Sequence, residues 1–82
     1  MISCQQYDYI EIACLYQFPV RLTLTDGVIF EGIANDTRYD NHHQECLLLQ
    51  TGQGAQLVPT ARLQSLEVML VNPHFTFIKF GS

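Results

Sequence analysis

Positive charge is what this sequence most lacks. Arg21, Arg38, Arg62 and Lys79 are its four Lys and Arg residues, set against eight carboxylates for a net charge of −4. Proteins that hold nucleic acid through its phosphates neutralise them with clustered Lys and Arg, so this balance argues against direct nucleic-acid binding and favours a basic partner. Tryptophan is absent, and the three cysteines, Cys4, Cys14 and Cys46, make no C-x-x-C pair. They read as small core residues in a reducing compartment. No apolar run approaches the roughly 20 residues that cross a bilayer, and no basic leader precedes one, so cytoplasmic residence is expected.

Chemistry is scarce as well. Gly52-x-Gly54 lacks the third glycine of a phosphate loop, and Ser3 and Ser65 have no neighbouring base in the sequence. His42, His43 and Cys46 are the one cluster of potential metal ligands close in sequence, but their spacing matches no familiar zinc site, and adjacent histidines in a polar stretch read as exposed side chains that titrate near neutrality. No enzyme, metal site or cofactor is expected. What the chain does have is a hydrophobic content of 48% with only 15% charged residues, which excludes disorder. At 82 residues it is read as one domain over 1–82, burying somewhat more than roughly 60% of its unfolded surface.

The pattern along the chain predicts a short helix and then strands. Ser3-x-x-Gln6 fits a capping box, which starts a helix over about 4–16 that Pro19 stops. From Val20 the period becomes two, with Val20, Leu22 and Leu24 alternating against Arg21, Thr23 and Thr25. Asp26-Gly27 offers the positive φ angles of a tight hairpin turn, and Val28 to Ile33 returns as a second strand with Gly32 at a bend or bulge. The polar run Asn35 to Glu45 reads as a loop. Further strands are predicted at Cys46 to Gln50, Ala55 to Val58, Gln64 to Val71 and Thr76 to Phe80, with a helical turn at Thr60 to Leu63. The predicted fold is mainly β, a five- to six-stranded antiparallel barrel over about 20–80 preceded by the helix.

Candidate binding residues come from the helix. At 100° per residue Tyr7, Ile10 and Cys14 gather on one side, while Asp8, Glu11, Ile12 and Leu15 share the other. A face that mixes two carboxylates with two aliphatics reads either as a docking surface or as a stretch whose Ile12 and Leu15 tuck under the following loop. All the acids except Glu67 lie between Asp8 and Glu45. Tyr7, Tyr9, Tyr16, Tyr39, Phe75, Phe77 and Phe80 lack the interleaved cations of a base-stacking surface, and Phe75 and Phe77 are read as core or sheet-surface residues.

The segment Ile2-Ser-Cys4-Gln-Gln-Tyr7-Asp8-Tyr-Ile10-Glu11-Ile-Ala13-Cys14 resembles the N-terminal signature of the Rho-binding antiterminators, the Rof or YaeO family, approximately Ile-x-Cys-x-x-Tyr-Asp-x-Leu-Glu-x-Ala-Cys. A looser likeness continues through Leu22 to Gly27 and Leu63 to Leu66, and so spans most of the chain. The resemblance implies a small Sm-like (SH3-like) barrel behind an N-terminal helix, and a protein that inhibits the transcription termination factor Rho by binding its N-terminal RNA-binding domain and preventing RNA loading. It also implies partner contacts at Tyr7, Asp8 and Glu11 on the helix, and a second contact region around Arg38, Asp40 and Asn41. Gln5 and Gln6 stand where relatives carry acids, and are read as hydrogen-bonding contacts only. A rival reading comes from Val20 to Asn41, which is similar to the first motif of ring-forming Sm proteins and would make this an RNA-binding module. The acidic balance and the missing second Sm motif stand against it, and a monomer is expected when free.

Overall fold

The computed structural model describes residues 4–72 and 76–80, with the backbone alone at Cys4 and Gln5. Helix α1 (Cys4–Leu15) leads into strands β1 (Pro19–Leu24), β2 (Ile29–Tyr39), β3 (Glu45–Thr51), β4 (Gly54–Pro59), β5 (Leu63–Val68) and β6 (Phe77–Lys79), with one 3-10 turn at Thr60–Arg62. The expected capping role of Ser3 lies outside the described residues, as do His74 and Phe75. No described helix is long and apolar enough to cross a membrane.

Pro19 is not what ends α1. Gln17 adopts a left-handed conformation with φ of 51°, and the amide of Phe18 donates to Ala13 O at 2.9 Å while that of Gln17 donates to Cys14 O at 3.2 Å. These bonds satisfy carbonyls that the last helical turn would leave orphaned, and they turn the chain so that Phe18 is buried. Pro19 then opens β1, where its missing N–H is tolerated.

All strand pairings are antiparallel, in the order β4-β3-β2-β1-β5-β6. Val20, Leu22 and Leu24 of β1, Leu47 and Leu49 of β3, Val58 of β4, and Leu63, Leu66 and Val68 of β5 meet Ile10 and Ala13 of α1 in one core. Strands this far apart in the sheet order share a core only because the sheet curls on itself, and the fold is mainly β, as the period-two pattern predicts.

The curl is built into β2. Its first half, Ile29 to Ile33, pairs with β1, and its second half, Ile33 to Tyr39, pairs with β3, with a register shift between Ala34 and Asp36. The loop expected over Asn35 to Glu45 is therefore wrong for most of its length. Polar residues there occupy strand positions opposite Cys46, Leu47 and Leu48, and the connection shrinks to Asp40–Gln44. Gly32 marks a close approach to β3, and the irregularity in register falls at Asn35.

Two smaller expectations are also corrected. At the first hairpin only Gly27 has a positive φ, 88°, and Asp26 does not. Leu24 O accepts from Gly27 N and Leu24 N donates to Val28 O, so the connection is a three-residue loop closed by a left-handed glycine. Strand β5 stops at Val68 instead of Val71. Met69 N donates to Pro19 O, and β1 offers no described strand position beyond Pro19, so Met69, Leu70 and Val71 remain exposed.

At Gly32 an added Cβ would collide with the carbonyl oxygen of Gln50 on β3 and press within 3.1 Å of Leu49 Cγ. Backbone cannot yield as a flexible side chain can. Gly32→Ala is expected to lower unfolding free energy by about 1–3 kcal/mol, read as a shift in the urea midpoint with an unchanged slope.

Candidate functional site

Helix α1 lies along the second half of β2 with Ile10 and Ala13 fully buried, which leaves Asp8, Glu11 and Leu15 on its outer side. Ile12 sits at the edge, half-buried and packed against the core, while Leu15 is 74% exposed. The two alternatives for this pair therefore separate: Ile12 is partly tucked in and Leu15 is not. Asp8, Glu11, Ile12 and Leu15 together line a shallow open groove of about 420 Å³.

The strands bring further acids to the same side. Asp36, the first residue after the β2 bulge, lines a second depression with Glu11, Cys14 and Leu15. Burial pushes the Cys14 thiol up to about 11, and the carboxylates of Asp36 and then Glu11 add to the effect, which places both acids beside one sulfur. At the other end of the helix, burial followed by the Glu45 carboxylate raises the Tyr7 phenol well above its ordinary value, with smaller effects from Tyr39 and Glu11. The N-terminal half of α1 is thus set against the β2–β3 hairpin.

The remaining acids are spoken for elsewhere. Arg21 stands opposite Glu31 on β2 and Glu67 on β5, and bridges them at 2.7 and 3.3 Å. Arg62 pairs with Asp26 at 2.8 Å and joins the first hairpin to the 3-10 turn. Both arginines keep about half of their side-chain surface in water, so these pairs add little to stability. Their effect is on the charge map. Among the described residues, Asp8, Glu11, Asp36, Asp40 and Glu45 have no Lys or Arg ion-pair partner, and these five surround α1 and the hairpin beside it.

The residues expected to bind a partner do not all point outward. Asp8, Glu11 and Leu15 form the exposed stripe, and Arg38 and Asn41 are exposed on the hairpin. Tyr7 is half-buried with its hydroxyl covered and without a hydrogen-bond geometry to any neighbour, which suits a residue that seats the helix against the hairpin. Asp40 uses Oδ1 to accept from the amides of His42 at 2.8 Å and Gln44 at 2.9 Å, and these bonds, Gln44 first, hold its carboxyl below the usual range. It shapes the turn in which His43 takes a φ of 60°. Gln6 donates to Lys79 O at 3.0 Å and so ties α1 to β6. Sequence reasoning does not single out Asp36, whose place beside Glu11 and Cys14 exists only in the folded chain; Tyr39, within the second contact region, is 67% exposed at the end of β2.

Cys46 is buried and Cys14 half-buried against the core, as expected of structural thiols; the side chain of Cys4 lies outside the described residues. Among the described residues no three His, Cys, Asp or Glu side chains are grouped to hold a metal ion. Phe77 is exposed on the sheet surface, while Phe80 belongs to the core.

The covered Tyr7 hydroxyl yields a prediction. Tyr7→Phe removes a covered hydroxyl beside the Glu45 carboxylate and keeps the ring, so unfolding free energy should stay within about 1 kcal/mol of the parent's. Because the folded state holds the phenol protonated, its contribution is intact below about 10 and is lost above that value, where only the unfolded chain ionises. Cys14 acts in the same direction from about 9. Thermal melts from pH 8 to 11 should show the variant losing less stability than the parent above pH 10, and an equal loss in both would count against this placement of Tyr7.

Comparison with known proteins agrees with this architecture. Residues 1–80 match the family model described as modulator of Rho-dependent transcription termination (ROF). The YaeO protein of Vibrio cholerae O395, whose structure was solved bound to magnesium, is 42% identical, with a TM-score of 0.89 over 93% of this chain and 99% of that one. No curated protein sequence matches.

Proposed function

This chain belongs to the Rof family of modulators of Rho-dependent transcription termination, and on that premise we propose that it inhibits Rho by docking its α1 face on the N-terminal RNA-binding domain and so keeping RNA from loading. The observation that carries this reading is the sorting of charge. Arg21 and Arg62 pair with Glu31, Glu67 and Asp26 and offset two of their three charges, while among the described residues the carboxylates of Asp8, Glu11, Asp36, Asp40 and Glu45 stand without such partners around one helix. A surface that binds RNA phosphates is necessarily basic, and an acidic face competes for it directly.

In this reading Asp8, Glu11 and Leu15 make the central contact, Asp36 extends it, and Arg38 and Asn41 contribute from the hairpin. Ile12 closes the base of the contact. Tyr7 and Asp40 act by holding helix and turn in place. The protein works as a monomer in the cytoplasm, where Rho meets nascent RNA, and takes no direct part in binding nucleic acid. The family is one of modulators of termination.

The test is binding to intact Rho with and without competing RNA. Asp8→Lys with Glu11→Lys replaces two exposed residues and should leave the melting curve close to that of the parent, yet reduce affinity for Rho by about 100-fold or more, because like charges then meet across the contact. Undiminished binding by the folded double variant would remove this face from the mechanism. Affinity of the parent should also fall as salt rises from 0.05 to about 0.5 M, since the Debye length shrinks below about 5 Å over that range. Labelled RNA offered to the protein alone is the control, and direct binding there would favour the Sm-like RNA-binding module instead.

A further inference from the structure

The groove on α1 specifies what kind of side chain the docking face receives, a step that rests on the docking proposed above. Its four residues, Asp8, Glu11, Ile12 and Leu15, recur at i, i+3, i+4 and i+7 and therefore form one continuous stripe. Ile12 is held by the core and gives the groove a fixed aliphatic base, and the exposed Leu15 forms a wall at its C-terminal end. Asp8 and Glu11 stand one helical turn apart on the rim, neither with an ion pair among the described residues. The chemistry of the groove is thus apolar below and anionic above.

Few side chains match both parts. An acidic group is repelled by the rim, and a purely apolar group would desolvate two carboxylates without offering them a partner. A short polar group would leave Leu15 in water. A lysine or arginine lays its methylenes on apolar surface while its head stays at the charged edge. We propose that this groove receives one long basic side chain of the partner, with its stem against Ile12 and Leu15 and its cation between Asp8 and Glu11.

A single occupant predicts that the apolar and ionic contributions are coupled, because releasing the head also frees the stem. Affinity for intact Rho is measured at low salt for the parent, Leu15→Ala, Asp8→Asn with Glu11→Gln, and the combination. Leu15 is exposed and alanine favours helix, so the fold is retained, as circular dichroism will show. Neutral rather than reversed charges keep binding measurable. In the parent background Leu15→Ala should weaken binding about tenfold, whereas in the neutralised background the same change should cost less than about twofold. Leu15→Met, which restores a long apolar wall, should recover most of the parent's affinity. Equal losses in the two backgrounds would mean separate contacts and overturn the proposal. A harmless Leu15→Ala would overturn it too, while a loss on neutralising Asp8 and Glu11 would leave charge docking standing. Full affinity in every variant would remove the docking face along with the groove.

Discussion

The rest of the molecule depends on β2 serving two partners. A strand of 11 residues that bonds β1 with its first half and β3 with its second must bend between them, and where the two pairings meet its backbone runs against Gln50 at a position where only glycine fits. Once β2 turns there, β1 and β5 on one side and β3 and β4 on the other face each other across a common core. The helix then has a place to lie. Its buried residues Ile10 and Ala13 complete that core, and the polar second half of β2 runs beneath its acidic flank.

This geometry turns a loose bias in the sequence into a map. Carboxylates concentrated between Asp8 and Glu45 say little until the strands decide which of them meet arginines. Register puts Arg21 directly between Glu31 and Glu67, and the first hairpin puts Asp26 within reach of Arg62. These pairs offset two of the three negative charges involved, at little energetic gain. What remains is concentrated at α1, so the field of a modestly acidic protein becomes local and directional.

Much of this was legible beforehand, and the failures share one cause. The helix ends where its pattern fades, and Val20, Leu22 and Leu24 alternate as a strand with one face in the core must. Asn35 to Tyr39 misleads because its composition is polar, whereas its pairing comes from Cys46, Leu47 and Leu48 across the ladder. Asp36 escapes the sequence pattern because its proximity to Glu11 and Cys14 exists only in the folded chain. Tyr7 and Asp40 show the converse situation. Their residue types suit a binding surface, but a covered hydroxyl and a carboxylate bonded to two amides are roles that only neighbours distant in sequence, or the turn itself, assign.

Charge alone is a weak basis for a lasting contact on such a face. Exposed carboxylates are well solvated, and each exposed ion pair is worth about 0–1 kcal/mol, less as salt rises. Their main effect is to raise the rate of encounter and to reject acidic competitors. Residence requires area taken from water, and on this face Leu15, with Ile12 beneath it, is where apolar surface and carboxylates adjoin. Burying a leucine side chain contributes about 1.5–3 kcal/mol, more than any one of the surrounding charges can supply in water. In the docking proposed above, the acids would choose the kind of partner, and the exposed leucine among them would set how long it stays.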